Sequence, residues 1–228
     1  MDSPAVLRLK LDRVYYPASP SRFSIGKRTP AHPVAALSGF SLYIEPGERV
    51  ILLGPSGSGK STLLKIAAGR HVCFEGQRRA VSGPIGYMPQ EPCLLPWLTV
   101  EQNIRRFCQS AGVRPDAGAY LCRRLGLEEL TGRYPAALSG GQYRRAMLVR
   151  TLALSPRLLL LDEPFVGLDQ DSLAQAVDTL ADFLPSVGSA LLLATHHPEM
   201  IKKLGGSRIL LQERPAAPTG EEAGVSKI

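Results

Sequence analysis

Arg49-Val50-Ile51-Leu52-Leu53-Gly54-Pro55-Ser56-Gly57-Ser58-Gly59-Lys60-Ser61 is the stretch that decides the fold. Its first five residues, Arg49 and the apolar run 50–53, are bounded upstream by the turn Pro46-Gly47 and read as a strand. The next eight match the phosphate-loop pattern G-x-x-x-x-G-K-[ST]. Glycines allow backbone N–H groups to turn inward around phosphate oxygens. From about Lys60 to Ala68 the pattern is helical, and a helix N-terminus adds free donors and a favourable dipole. Lys60 is suited to placing its charge on the β- and γ-phosphates of a nucleotide, and Ser61 to ligating Mg2+. The competing reading, an ordinary glycine-rich turn before a helix, gives no reason for Lys60-Ser61 behind a strand.

Downstream, residues 158–161 are four leucines, followed by Asp162-Glu163-Pro164. A strand this apolar has both faces covered, as in a parallel sheet, and ligands bind at the carboxyl ends of such strands. Asp162 is then placed to support Mg2+, directly or through water, and Glu163 to polarise an attacking water as a general base. Alone, the pair reads more simply as solvated acids ending a core strand; the phosphate loop upstream turns the reading towards chemistry.

The rest of the chain alternates strands and helices. Strands are expected at residues 6–11, 41–44, 85–88, 189–194 and 208–211. Residues 100–130 are helical with breaks at Gly112 and Pro115, and 141–154 form a helix stopped by Ser155-Pro156. Leu173, Val177, Leu180 and Leu184 give a further helix one apolar face. Residues 17–36 read as a loop with four prolines, and the chain from about Glu213 as a polar, frayed tail. This alternation implies an α/β fold around a mainly parallel central sheet.

Composition sets bounds. The chain has 228 residues, 44% hydrophobic and 21% charged, enough for one substantial core or for a core with a small subdomain. No apolar run reaches the roughly 20 residues that span a bilayer, and no basic segment leads into an apolar stretch at the N-terminus, so any membrane role is expected to be peripheral. Four scattered cysteines form no Cys-x-x-Cys and read as free thiols. The net charge of +7 is spread without a dense Lys/Arg run, so it selects no partner class.

Leu138-Ser139-Gly140-Gly141-Gln142 stands just before the helix 141–154. Ser139 suits an N-cap, and two glycines leave the backbone open to an anion at a helix N-terminus; a cap in a flexible turn is the plainer alternative. With this motif in place, the chain resembles an ABC-type ATP-binding domain along nearly its whole length. Residues 138–142 match the family's signature motif, and the phosphate loop and acidic strand stand in family order. Gln90 matches the Q-loop glutamine, Gly167-Leu168-Asp169 the D-loop and His196 the switch histidine.

The resemblance implies one domain over residues 1–228, with a P-loop NTPase core, an antiparallel β subdomain and a helical subdomain at about 91–150. It implies ATP and Mg2+, with the nucleotide held by residues 54–62, Thr62 included, and the cation by Ser61, Gln90 and Asp162. Glu163, His196 and Gln90 are the implied catalytic residues. Two chains face each other head to tail, so that Ser139, Gly140, Gly141 and Gln142 meet the γ-phosphate on the partner's phosphate loop, with Asp169 beside it. Tyr16 is the expected adenine-stacking aromatic, with Tyr15 second. The long 17–36 loop and His197, where an acidic residue is common, depart from the family pattern.

Residues 91–100 resemble ATPases of importers for nitrate, sulfonates and taurine. Trp97, the only tryptophan, suits a surface docking on a membrane subunit, or packs inside the helical subdomain. Expected partners are transmembrane permease subunits, a second copy of the chain and a substrate-binding protein, at the cytoplasmic face of the membrane; no nucleic acid is expected. The alternatives are the ATPase of an exporter and a soluble ABC ATPase acting on nucleic acid or ribosomes.

Overall fold

The computed structural model describes residues 5–16, 34–70, 72–114, 117–211 and 225–227. The strands are β1 (Leu7–Tyr16), β2 (Val34–Ile44), β3 (Arg49–Leu53), β4 (Cys73–Ala80), β5 (Ile85–Met88), β6 (Leu158–Asp162), β7 (Ala190–Ala194), β8 (Ser207–Leu211) and β9 (Val225–Lys227). The α-helices are α1 (Lys60–Ala67), α2 (Val100–Ser110), α3 (Gly118–Arg124), α4 (Gly140–Leu152), α5 (Gln170–Val187) and α6 (Pro198–Leu204).

Two sheets share the core. The first is antiparallel, in the order β2-β1-β4. Leu7, Leu9 and Leu11 turn inward while Arg8 and Lys10 turn to solvent, the period-2 pattern of a half-buried strand. The pattern slips after Leu11, and Val14 is the next buried residue. The cause is a register shift between Leu11 and Arg13 opposite Gly76. There φ is +125°, and a Cβ on Gly76 would sit 2.1 Å from the Lys10 carbonyl oxygen, so only glycine fits.

The second sheet runs β5-β6-β7-β3-β8-β9 and is parallel except for β9. Its pleat sorts the leucines. Leu158, Leu160 and Leu192 pack with Val50, Leu52, Leu63 and the antiparallel sheet. Leu159, Leu161, Leu191 and Leu193 pack on the other side with Leu148 and Leu180 of α4 and α5. Each such buried side chain contributes about 1.5–3 kcal/mol, and both faces of the sheet are covered, as the apolar run at 158–161 predicts.

Several expectations change. β1 and β2 are longer than the segments 6–11 and 41–44, because β1 pairs along its whole length with β2. β4 has no counterpart in the sequence reading: Cys-Phe-Glu-Gly-Gln-Arg-Arg-Ala lies at a sheet edge, largely exposed, and shows little apolar alternation. The helix 141–154 begins at Gly140 and ends at Leu152. The 100–130 segment divides into α2, α3 and a 3-10 turn at Glu128–Leu130. Among the described residues of the tail, Val225–Lys227 form β9, paired with β8; residues 212–224 lie outside the described residues, as do 17–33 of the proline-rich loop and Pro115.

Candidate functional site

Parallel register brings the motifs to one edge. β7 lies between β3 and β6, with Leu52 and Asp162 each level with Ala194. The phosphate loop therefore leaves β3, the Asp162-Glu163 pair leaves β6 and His196 leaves β7 at the same carboxyl edge. β5 joins them with Met88 opposite Leu161, so exposed Gln90 emerges at that edge too.

The loop itself is tightly built. Gly54 has φ +141°, and a Cβ there would lie 2.3 Å from Leu211 O, so β8 presses on the loop's first residue. Gly59 has φ +98° and caps α1 in the left-handed region. Lys60 Nζ donates to the carbonyls of Gly54 (2.7 Å) and Pro55 (2.8 Å), which hold the ammonium across the loop. Buried Ser58 Oγ has no hydrogen-bond partner among the described residues. Thr62 is buried in the first turn of α1.

Ser61 Oγ donates to Asp162 Oδ1 at 3.1 Å, joining the phosphate loop to the acidic strand end. Asp162 is buried, and its Oδ2 has no partner among the described residues. Burial pushes its carboxyl above the usual carboxylate range, the Ser61 hydrogen bond pulls the other way, and the charge of Glu163 adds to the rise. Magnesium takes one or two protein carboxylates and completes its shell with water and phosphate oxygens. One hydroxyl, one carboxylate and an orphaned oxygen fit that demand. No closed cage of three or more His, Cys, Asp or Glu exists among the described residues.

Glu163 departs from the strand. Its φ is +46°, left-handed and unusual for a residue with a side chain. Its N–H donates to Ala194 O (2.9 Å), extending the β6–β7 ladder by one bond. The turn leaves its side chain 12% exposed, with Oε1 3.0 Å from His196 Nδ1 and Oε2 unpartnered among the described residues.

Ser139 caps α4 with a full capping box: its Oγ accepts from Gln142 N–H, and Gln142 Oε1 accepts from Ser139 N–H at 2.9 Å. The N-cap expectation holds, and the Gln142 side chain closes the cap. Ser139 and Gly140 are exposed. A Cβ on Gly140 would meet nothing within 4 Å, so this chain's own packing does not require glycine there. Asp169 caps α5, accepting from Ser172 N–H at 2.8 Å, and that bond holds its carboxyl below the usual range. The Asp-x-x-Ser spacing ahead of the apolar face signals this cap, and the sequence reading passed over it.

Two further groups went unread. Buried Asn103 accepts from Leu95 N–H (2.7 Å) and donates to the carbonyls of Leu95, Leu98 and Thr99, fastening the 95–99 loop to α2. Arg150 Nη1 donates to Cys93 O, and Tyr143 Oη accepts from Leu94 N–H, fastening residues 93–94, just before that loop, to α4. Trp97 stands 68% exposed on this braced loop, which overturns its packing inside the subdomain. The side chain of Tyr16 lies outside the described residues, while the Tyr15 hydroxyl donates to Glu75 Oε1 (2.6 Å).

A family model described as ABC transporter matches residues 37–166. The chain belongs to the ABC transporter family. An aliphatic sulfonates import ATP-binding protein of Pseudomonas syringae pv. tomato is 38% identical over 81% of this chain and 79% of its own. A nitrate import ATP-binding protein of Synechocystis is 36% identical over 86% and 76%, and a taurine import ATP-binding protein of Escherichia coli 37% over 79% and 75%. Among solved structures, a dimeric ATP-binding cassette in a post-hydrolysis state with ADP and Pi matches with TM-score 0.76 at 25% identity, over 90% of this chain and 94% of that one. The chain is thus an ATP-binding ABC subunit, an ATPase of the P-loop type.

The raised Asp162 carboxyl gives a stability test. A buried acid whose folded pKa is raised opposes folding once ionised. That cost is absent below the ordinary carboxylate range, grows as pH rises towards the shifted value, and is complete above it. In metal- and nucleotide-free protein at pH 7.5, Asp162→Asn is expected to raise Tm by about 2–4 °C, the scale of one kcal/mol in a chain of this size. The gain disappears at pH 4. Calorimetry at the two pH values checks both; a lower Tm at pH 7.5 contradicts the reading.

Proposed function

We propose that this chain is the ATP-hydrolysing subunit of an importer for a small anion such as a sulfonate, nitrate or taurine. Its partners are transmembrane permease subunits and a second copy of itself, and it works at the cytoplasmic face of the membrane. A separate substrate-binding protein would deliver the anion. Among the described residues no helix is long and apolar enough to cross a membrane. Import is the direction named for the sulfonate, nitrate and taurine relatives.

One observation carries the reading: phosphate loop, acidic pair and switch histidine share one sheet edge, while the Ser139–Gly140 helix start is exposed and its Gly140 answers no packing need of its own chain. A nucleotide held by Lys60 and the loop N–H groups would lie against Asp162 and Glu163. Mg2+, held by Ser61 and Asp162 with Gln90 beside them, would neutralise charge on the β- and γ-oxygens. Glu163 accepts a proton from water as the water oxygen attacks the γ-phosphorus and the bond to the β–γ bridging oxygen breaks. His196, bound through Nδ1 to Glu163, has Nε2 left for the γ-phosphate. Ser139 and the N–H groups at the start of α4 on the partner chain complete the anion site, and a two-fold dimer makes two such sites. Trp97 on its braced loop is the surface offered to the permease, a large amphipathic ring of the kind that anchors interfaces.

Glu163→Gln is expected to keep ATP affinity, lose turnover by about 10²–10⁴-fold, and accumulate an ATP-bound dimer on size-exclusion chromatography. Adding Ser139→Arg places bulk and charge at the partner's phosphate and returns the protein to monomer. Normal turnover in Glu163→Gln removes that residue from the proton transfer; loss of ATP binding moves it into the cation site.

Trp97→Ala is expected to leave thermal stability within about 0.5 kcal/mol, as for other exposed side chains. It weakens co-purification of the permease subunits by the roughly 30-fold or more of an interface anchor worth ~2 kcal/mol. A large fall in Tm with docking intact contradicts the docking assignment.

A further inference from the structure

His196 is exposed over 71% of its side chain, and its ring has one hydrogen bond among the described residues, to Glu163. One bond leaves an exposed imidazole free to swing, whereas a group that positions water or phosphate needs a fixed plane. The second restraint is its neighbour. The rings of His196 and His197 stack with centroids 5.1 Å apart and planes 22° apart, within the range of favourable offset aromatic pairs.

Consecutive residues in a strand point to opposite faces; these two share a side because the chain has just left β7. The backbone there is held twice. Thr195 Oγ1, buried, accepts from His197 N–H at 3.2 Å. Pro198 opens α6, and a residue before proline is confined to extended backbone, as the His197 ψ of 114° records. The His197 ring is therefore aimed by the fold. Its residue type has no capping role: His197 is the N-cap of α6 but its side chain makes no capping hydrogen bond, where Asn, Asp, Ser or Thr would.

The geometry points to His197 as a positioning residue for hydrolysis. Its ring is the plate against which His196 rests, keeping Nδ1 on Glu163 and leaving Nε2 for the γ-phosphate. This rests on the roles of Glu163 and His196 given above.

The test uses the full-length chain with His197→Ala, His197→Phe and His197→Asn, beside His196→Ala and Glu163→Gln as references. Steady-state ATP hydrolysis is measured for kcat and KM. His197→Ala is expected to lower kcat about three- to tenfold, the worth of one aromatic pair, with KM for ATP changed less than about twofold. His197→Phe keeps a ring and restores kcat to within about twofold of the parent. His197→Asn caps the helix better, lacks the ring and stays as slow as His197→Ala. If His197→Ala unfolds, the comparison of Phe with Asn decides alone. Full kcat in His197→Ala, or rescue by Asn equal to that by Phe, overturns the inference. Should the two reference variants also keep full turnover, the assignment of the site falls with it; should they fall while His197→Ala does not, the positioning role alone is wrong.

Discussion

Glu163 sits one residue past the end of β6, yet its N–H still donates to Ala194 O of β7 at 2.9 Å. That bond fixes a residue held at φ +46°, a conformation costing on the order of 1–3 kcal/mol for a side-chain-bearing residue. Neighbours over-determine it. Asp162 on one side is buried and bound to Ser61; Pro164 and Phe165 on the other are buried in the core. The chain leaves β7 at Ala194 and reaches His196 through Thr195, so both partners of the 3.0 Å Glu163–His196 contact follow directly on the ends of the paired strands β6 and β7. Shifting the β6–β7 register by one residue would turn every leucine of 158–161 to the opposite face, so the core and the site stabilise the same register.

The sheet-edge residues and the signature residues are held in different ways. The loop, acids and histidine are fixed by a sheet buried on both faces. The signature residues start a helix outside that sheet, exposed and self-capped. A capping box satisfies the helix without a ligand, so α4 keeps its geometry whether or not a phosphate lies beyond it. The same helix reaches through Tyr143 and Arg150 to residues 93–94, and Asn103 holds the loop that displays Trp97. The signature motif and exposed Trp97 thus lie on one packed unit.

The central sheet was legible because burial on both faces writes strands as unbroken apolar runs, as at 158–161 and 190–194. The phosphate-loop pattern was legible because Gly54, Gly59, Lys60 and Ser61 stand at a fixed spacing between a strand and a helix. β4 was illegible for the opposite reason: an exposed edge strand needs few apolar residues, and Phe74 and Ala80 alone mark its inner face. The left-handed Glu163 carries no local signal, since tertiary hydrogen bonding imposes it on a residue type that rarely adopts it. The His196–His197 stack was equally hidden, because alternation in a strand would have set the rings apart. Asn103 and the Asp169 cap did leave traces, in an asparagine on the core side of α2 and in the Asp-x-x-Ser spacing.

The central claim is that each hydrolytic site is made of one chain's sheet edge and another chain's helix start. A crystal structure of the Glu163→Gln chain with ATP and Mg2+ tests it most directly. The account predicts a two-fold dimer in which the γ-phosphate touches Lys60 and His196 of one chain and Ser139 of the other, with the cation on Ser61 and Asp162. A nucleotide contacted by Lys60 and Ser139 of the same chain, or a cation away from Asp162, would contradict it.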